Sequence, residues 1–316
     1  IYFLRKINKK SNKIKLYLVC PSCKITEIKF EKKKYFCEKC ELSYIVKNNL
    51  PILINFNLEN VLIKENEIIF KKERLDKNIF KEKILNFVYG TSVVTEDNVI
   101  KFLNKLDKDN NKRVLVIGGA SKGSGTDDLW KSEKVNITSI DLVGTKNVDY
   151  IVDAHYLPFK NETFDAIWIQ AVLEHVISPE VVVKEIFRAL KEGGIVYSET
   201  PFMQQIHMGK NDFTRYTASG HRYLFRSFEK IDVGINGGPG VTLAWSIKYF
   251  IWSLSNEKIA NYFSIIPFFF LRMFDKILSE KASWDSSSGF YFLGKKNTNY
   301  EFDKEELNQL YKGNQI

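Results

Sequence analysis

Residues 113–130, RVLVIGGASKGSGTDDLW, constrain this chain more than any other stretch, because they read as a buried strand breaking into a glycine-rich turn and then a helix. Val114, Leu115, Val116 and Ile117 form an uninterrupted apolar run, the pattern of a parallel strand covered on both faces. Gly118, Gly119, Gly123 and Gly125 come next without a break, and a backbone without Cβ atoms can turn sharply and approach a ligand closely. Taken alone, such a loop is equally an ordinary turn between strand and helix. The segments downstream of the loop, and their order, decide between the two.

Residues 135–141 (VNITSID) read as a second strand ending in Asp141, about 20 residues past the glycines, where a carboxylate can accept hydrogen bonds from both hydroxyls of a ribose. Residues 149–154 (DYIVDA) give a third strand with Asp153 at its end, and residues 164–170 (FDAIWIQ) a fourth. Ser178 is expected to cap a helix with Pro179 in its first turn, closing at Gly193 and Gly194 before a fifth strand over 195–199. Strands at 228–233 and 289–296 complete the count. This alternation predicts an α/β, Rossmann-like, doubly wound sheet with its ligand at the C-terminal strand edges.

The blocks VLVIGG, SIDL, DAHYLPF, FDAIWIQAVLEHV and LKEGG, in that order, resemble the class I S-adenosylmethionine-dependent methyltransferases, in the small-molecule branch that includes the ubiquinone and menaquinone enzymes. The resemblance implies S-adenosylmethionine as cofactor and a seven-stranded methyltransferase sheet. By position it places Gly118, Gly119 and Ser121 around the methionine portion, Asp141 at the ribose, Asp153 and Ala154 at the adenine, and Gln170 facing the methyl centre. Two positions depart from the family pattern: its acidic residue in the first strand is Val116 here, and its last close-packed glycine is Ala120. Asp127 or Asp128 would then substitute in holding the amino group.

All four cysteines stand near the beginning, Cys20-Pro-Ser-Cys23 and, thirteen residues on, Cys37-Glu-Lys-Cys40. Paired CxxC knuckles across a short hairpin bring four thiolates to tetrahedral range, the closed donor set of a structural Zn²⁺; paired disulfides are the weaker alternative. The knuckles and the ending Leu50-Pro51-Ile52-Leu53-Ile54 resemble the small zinc-ribbon proteins that activate tRNA and release-factor methyltransferases. The ribbon is expected to fold as a module of its own. Residues 1–50 carry 13 Lys and Arg against 4 Asp and Glu, the whole of the formal net charge of +9. Such a module could meet phosphates of RNA or an anionic surface, or could simply present a solvated Lys-rich face.

The chain thus divides into a ribbon at 1–57, a helical connector at 58–111 and the methyltransferase domain at 112–316, which carries an apolar helical insertion at about 241–280. In the connector a surface helix is expected over 65–87, and another capped by Thr95; residues 87–91 are expected to help close the cofactor site. In the insertion, residues 259–274 (IANYFSIIPFFFLRMF) fall short of the ~20 needed to cross a bilayer. They suit a peripheral membrane contact, a homodimer surface or a wall of the acceptor pocket. With no secretory signal recognised, the expected location is cytoplasmic, with the inner membrane face as the alternative.

Residues 200–226, TPFMQQIHMGKNDFTRYTASGHRYLFR, come after the fifth strand, where ligand loops belong. A hydroxyl acceptor needs a base of near-neutral pKa, so His207 is the first candidate and His175 the second; Arg215 and Tyr216 would hold an anionic or sugar-like acceptor. The bland alternative makes Asp212 and Arg215 a loop ion pair and places His221 and Arg222 inside a helix. The PFMQQIH and DFTRYT segments resemble bacterial methyltransferases associated with cell-surface polysaccharide synthesis, which implies a saccharide, or a lipid-linked or nucleotide-linked sugar, as acceptor. An rRNA or tRNA substrate is a second reading, although Gln170-Ala171-Val172 is not the Asn-Pro-Pro-Tyr type of motif that positions a base nitrogen. A non-catalytic zinc-ribbon scaffold is a third.

Overall fold

A computed structural model of the chain describes residues 18–71, 92–106, 111–275 and 277–315. Strands β1 (Lys29–Glu31), β2 (Lys34–Cys37), β3 (Leu42–Lys47) and β4 (Leu50–Pro51) form a small antiparallel sheet in sequential order. Helix α1 (Val93–Lys105) then leads into the main sheet. Its members and covers are β5 (Lys112–Ile117), α2 (Asp127–Lys131), β6 (Val135–Asp141), β7 (Tyr150–Ile151), β8 (Phe164–Gln170), α3 (Pro179–Ala189) and β9 (Leu190–Pro201). They continue with α4 (Ala218–Leu224), β10 (Phe228–Gly237), the helices α5 (Pro239–Leu254), α6 (Glu257–Phe263), α7 (Ile265–Phe274) and α8 (Glu280–Asp285), then β11 (Gly289–Lys296) and α9 (Glu305–Leu310).

The main sheet has seven strands in the order β10-β11-β9-β8-β5-β6-β7. β7, β6, β5, β8 and β9 run parallel, and β11 inserts antiparallel between β9 and β10. This is the expected methyltransferase fold. The apolar run of β5 serves both faces: Leu115 and Ile117 join one core with α3 and α4, Val114 and Val116 join the other with α1 and α2. A strand buried on both faces has no polar side to show, which is why its sequence reads as continuous rather than alternating.

The ribbon is less separate than the sequence implied. Leu18, Tyr35, Tyr44 and Leu53 lie in the same core as Ile140 and Tyr150 of the main sheet and Phe159 of the segment between β7 and β8. Ile52 bridges Ile151 in parallel, and Leu53 N–H donates to the Ile151 carbonyl at 2.9 Å, so the chain leaving β4 extends the main sheet beyond its edge strand β7. Covering an edge this way removes a row of unpaired backbone groups.

Three local expectations are corrected. Ser92, not Thr95, caps α1, accepting from Thr95 N–H at 3.2 Å; Thr95 is drawn inside the first turn, where its hydroxyl donates to the buried Glu199. Both residues are competent caps, and the contact to Glu199 selects between them. Second, α3 stops at Ala189 and β9 starts at Leu190, with Gly193 taking φ +75° inside the strand. Leu190 already pairs with Phe164, and the register shift beyond that pair absorbs the bend the glycines provide. Third, no long helix begins at 65: a single 3₁₀ turn spans Glu65–Glu67, Ile68 is buried, and Lys71 N–H donates to Gly144 O at 2.9 Å. The rest of that expected helix and the proposed closing residues 87–91 lie outside the described residues. The apolar stretch 259–274 is divided at Ser264 between α6 and α7. Among the described residues no helix is long and apolar enough to cross a membrane.

Candidate cofactor and acceptor site

Parallel pairing brings the sequence-predicted cofactor residues to one edge. Ile117 is in register with Ile140 on one side and Ile169 on the other, and Asp141 with Ile151. Gly118, Asp141, Asp153 and Gln170 therefore stand at or just beyond the C-terminal ends of four neighbouring strands, where a ligand in such a sheet lies. Gly118 and Gly119 donate to the Ile140 carbonyl at 3.0 and 3.1 Å. Gly118 has φ +84°, and a Cβ there would run into Val172; one on Gly119 would overlap Ser139 Oγ. Ser121 is exposed at the tip of the same loop, while Asp127 and Asp128 are exposed at the start of α2.

Asp141 ties this loop to β6. One carboxylate oxygen accepts from Ala120 N–H at 2.9 Å, the other from Val143 N–H at 2.8 Å. Burial raises its pKa above the ordinary carboxylate value, against the pull of those N–H groups. Each oxygen keeps a lone pair for a further donor. Asp153, nearly buried, accepts from His155 N–H at 2.9 Å and from the His155 ring at 2.6 Å, while His155 Nε2 accepts from Ser178 N–H at 3.3 Å. Those two partners fix the His155 ring and, with it, the Asp153 carboxylate just beyond the end of β7. Gln170 Nε2 donates to the Ser124 carbonyl at 3.2 Å and to Glu199 at 3.3 Å. Its Oε1 is buried without a protein partner.

Glu199 joins the site without having been among the residues its sequence pattern singles out. Buried at the end of β9, it accepts from Thr95 (3.1 Å), Tyr197 (2.9 Å), Gln170 and Asn236. Burial raises its pKa, and these hydrogen bonds oppose the rise. It thereby joins α1, β8 and β10 beside the glycine loop. The available signal was a carboxylate at the end of the expected strand 195–199 (IVYSE), two residues after Tyr197 and so on the same face.

On the other side of Gln170, Ala171 takes φ +51° and the chain makes a 3₁₀ turn, Leu173–His175. His207 comes to this turn from the loop after β9: the His175 and His207 rings meet edge to face at 4.7 Å. His175 Nε2 and His207 Nε2 lie 3.7 and 3.8 Å from Glu174 Oε1. Glu174 is fully buried, neither carboxylate oxygen has a hydrogen-bond partner, and burial pushes its pKa up to about 7. Phe213 N–H donates to the Glu174 carbonyl at 2.8 Å, fastening the loop to the turn.

Arg215 binds Asp212 through both Nη atoms and donates to the carbonyls of Gln204, Gln205 and Thr214. All five guanidinium donors are used within the loop, which leaves none for an acceptor in this arrangement. Tyr216 is half-buried, its N–H donating to Pro201 O, with burial pushing the phenol up to about 12. His221 and Arg222 are buried in α4: Arg222 donates to Phe225 O, Phe228 O, Tyr300 and Glu306, and His221 Nε2 lies 2.9 Å from Ser198 Oγ.

Burial drops the His221 pKa to about 3. Its folded pKa is thus below the ~6.5 of the unfolded chain, so only the unfolded state takes up a proton between those values. Stability is expected to be insensitive to this group above about pH 6.5 and to fall by up to ~1.4 kcal/mol per pH unit below it, toward pH 3. Urea midpoints should show this slope reduced in His221→Phe; equal slopes in parent and variant would remove His221 as its source.

In the ribbon, the four cysteine sulfurs lie within 4.8 Å of one another, with Cys20–Cys40 and Cys23–Cys37 each at 3.9 Å. Four thiolates on a tetrahedral ion at ~2.3 Å would stand ~3.8 Å apart. Tyr44 Oη, 3.1 Å from Cys20 Sγ, supplies a neighbouring hydroxyl.

Comparison with known proteins adds to this geometry. Residues 119–198 match the methyltransferase domain family. A ubiquinone/menaquinone biosynthesis C-methyltransferase UbiE of Cronobacter sakazakii is 32% identical over 114 residues, 36% of this chain and 40% of the relative. Its Salmonella arizonae counterpart is 36% identical over 69 residues, 22% of this chain and 27% of the relative. The chain therefore spans well under half the length of these curated relatives. Among solved structures, Haemonchus contortus phosphoethanolamine N-methyltransferase 2 in complex with S-adenosyl-L-methionine is similar at 16% identity and TM-score 0.42, over 71% of this chain and 58% of the other. Residues 119–198, which match the methyltransferase domain model, lie on a seven-stranded sheet of the methyltransferase fold.

Proposed function

We propose that the chain is an S-adenosylmethionine-dependent methyltransferase acting on an oxygen of a saccharide or of a lipid-linked or nucleotide-linked sugar. The observation that carries the cofactor half is the alignment of Gly118, Asp141, Asp153 and Gln170 at four adjacent strand ends. In this reading Gly118, Gly119 and Ser121 surround the methionine portion, Asp141 accepts from the ribose hydroxyls, Asp153 and Ala154 border the adenine, and Gln170 faces the methyl centre. The acceptor approaches from the side of Glu174, His175 and His207. Transfer needs the acceptor oxygen in line with the sulfonium and its proton removed, which supports a base at this cluster, with His207 first and His175 second. The saccharide rests on the resemblance of the 200–226 loop.

Zn²⁺ at Cys20, Cys23, Cys37 and Cys40 is part of the same reading: the sulfur spacing fits the ion, and with all positions filled its role is structural. The exposed aromatic and aliphatic side chains of α5, α6 and α7, including Phe250, Tyr262, Phe263 and Phe270, suit a lipid surface or a second copy of the chain.

Titration of the purified chain with S-adenosylmethionine tests the proposal. One molecule per chain is expected, at micromolar to submillimolar affinity of the usual enzyme range and displaceable by S-adenosylhomocysteine. No saturable binding would overturn it and leave the scaffold reading. Affinity for RNA that falls steeply with salt would favour an rRNA or tRNA substrate instead.

A further inference from the structure

We propose that Glu174, His175 and His207 form a second metal site, binding one divalent transition-metal ion through a Glu174 carboxylate oxygen and the Nε2 atoms of both imidazoles. Its starting point is the fully buried Glu174 carboxylate, neither oxygen of which meets a donor. A buried carboxylate without a donor is strongly unfavourable in its charged form unless something compensates it. The groups facing it are a pair of imidazole nitrogens, 3.7 and 3.8 Å from the same oxygen. The three ligand atoms all lie within 4.8 Å of one another, and donors around one ion at ~2.0–2.2 Å stand ~3.0–3.5 Å apart, so a modest inward shift of the two rings closes the site.

The surroundings hold both rings ready. His175 Nδ1–H donates to the Asn211 carbonyl at 2.8 Å, which leaves the Nε2 lone pair directed at the cluster. His207 turns Nδ1 toward Asp212, 3.5 Å away, and Asp212 in turn is clamped by Arg215 and accepts from His207 N–H at 2.7 Å. A carboxylate behind a ligand histidine is a common way to orient the ring and raise its basicity. Two imidazoles and one carboxylate, with open positions left over, suit Zn²⁺, Fe²⁺, Mn²⁺ or Co²⁺ and differ in kind from the closed thiolate set of the ribbon. The inference deepens the acceptor-side reading given above and rests on it for its role: an acceptor hydroxyl bound at an open position would be acidified by the ion and lose its proton to solvent water, its oxygen would form the O–CH₃ bond as the S–CH₃ bond of the sulfonium breaks, and His207 would serve as a ligand rather than a free base.

The test uses the full chain with its ribbon loaded with Zn²⁺. Titration with Mn²⁺, which prefers oxygen and nitrogen donors to thiolates, is monitored by the loss of the free-ion paramagnetic resonance signal. One Mn²⁺ per chain is expected, with affinity weakened at least about 10-fold in Glu174→Gln and His207→Ala, and about 10-fold in Asp212→Asn, which keeps all three ligands. Ribbon zinc and S-adenosylmethionine binding should be unchanged in each. Should the parent take up no Mn²⁺, or the variants bind it as the parent does, the metal site is overturned and the cluster holds a proton instead. S-adenosylmethionine binding without Mn²⁺ binding sinks this inference alone; Mn²⁺ binding without S-adenosylmethionine sinks the methyl-transfer reading alone.

Discussion

Cys37→Ser, or removal of the ribbon ion by a chelator, is expected to lower the thermal midpoint of the whole chain, on the order of 10 °C or more, in one transition. Structural zinc contributes about 10–16 kcal/mol in small zinc-dependent domains, and losing one thiolate of four forfeits several of these. The loss spreads because the ribbon has no core of its own: Tyr35, Cys37 and Tyr44 pack in the same cluster as Tyr150, Phe159 and Phe164. The chain after β4 also covers the outer edge of β7. Unfolding the ribbon uncovers that edge and the apolar face beneath it, so aggregation should accompany the transition. Calorimetric scans of parent, variant and chelated protein decide the matter. Two separate transitions, with the larger unmoved, would show instead that the ribbon folds and melts by itself.

Asp141→Asn is expected to raise the dissociation constant for S-adenosylmethionine about 100-fold or more while the fold persists. Hydrogen bonds to a charged acceptor contribute about 1.5–3 kcal/mol each, and two of them to ribose hydroxyls account for that factor at ~1.4 kcal/mol per decade. The substitution also disturbs the loop. Asp141 accepts from Ala120 N–H and Val143 N–H on its two oxygens, whereas an amide offers one oxygen and must point its NH₂ group at the other donor. Titration calorimetry with circular dichroism as a check on folding measures both parts. An unchanged dissociation constant would remove Asp141 from the ribose and, with it, the alignment on which the cofactor assignment is built.

The cofactor edge was legible in the chain because its signals are local. A both-faced strand must be apolar throughout, a tight turn over a ligand must lack Cβ atoms, and an acid at a strand end is recognisable by its spacing from the glycines. The expected helix over 65–87 fails over its described part, 65–71, for a related reason: apolar residues there mark burial but not the surface they bury against. Ile68 and Phe70 cover Ile52, Ile151 and Leu142, a small core that exists only once β4 has met β7. Ser92 and Thr95 have the same local competence as caps, and only the carboxylate of Glu199, over a hundred residues away, separates them.

By itself, the sequence determined the order of strands and helices, the closed set of four cysteines and the residues that stand together at four adjacent strand ends, since each is written in spacing and residue type over a few dozen positions. The tertiary structure alone decided that ribbon and sheet share one core, that Arg215 is consumed within its own loop, and that Glu174 and His175 meet His207. Those outcomes depend on which distant segments are pressed together, and burial and desolvation, the forces that set them, act between surfaces rather than along the chain.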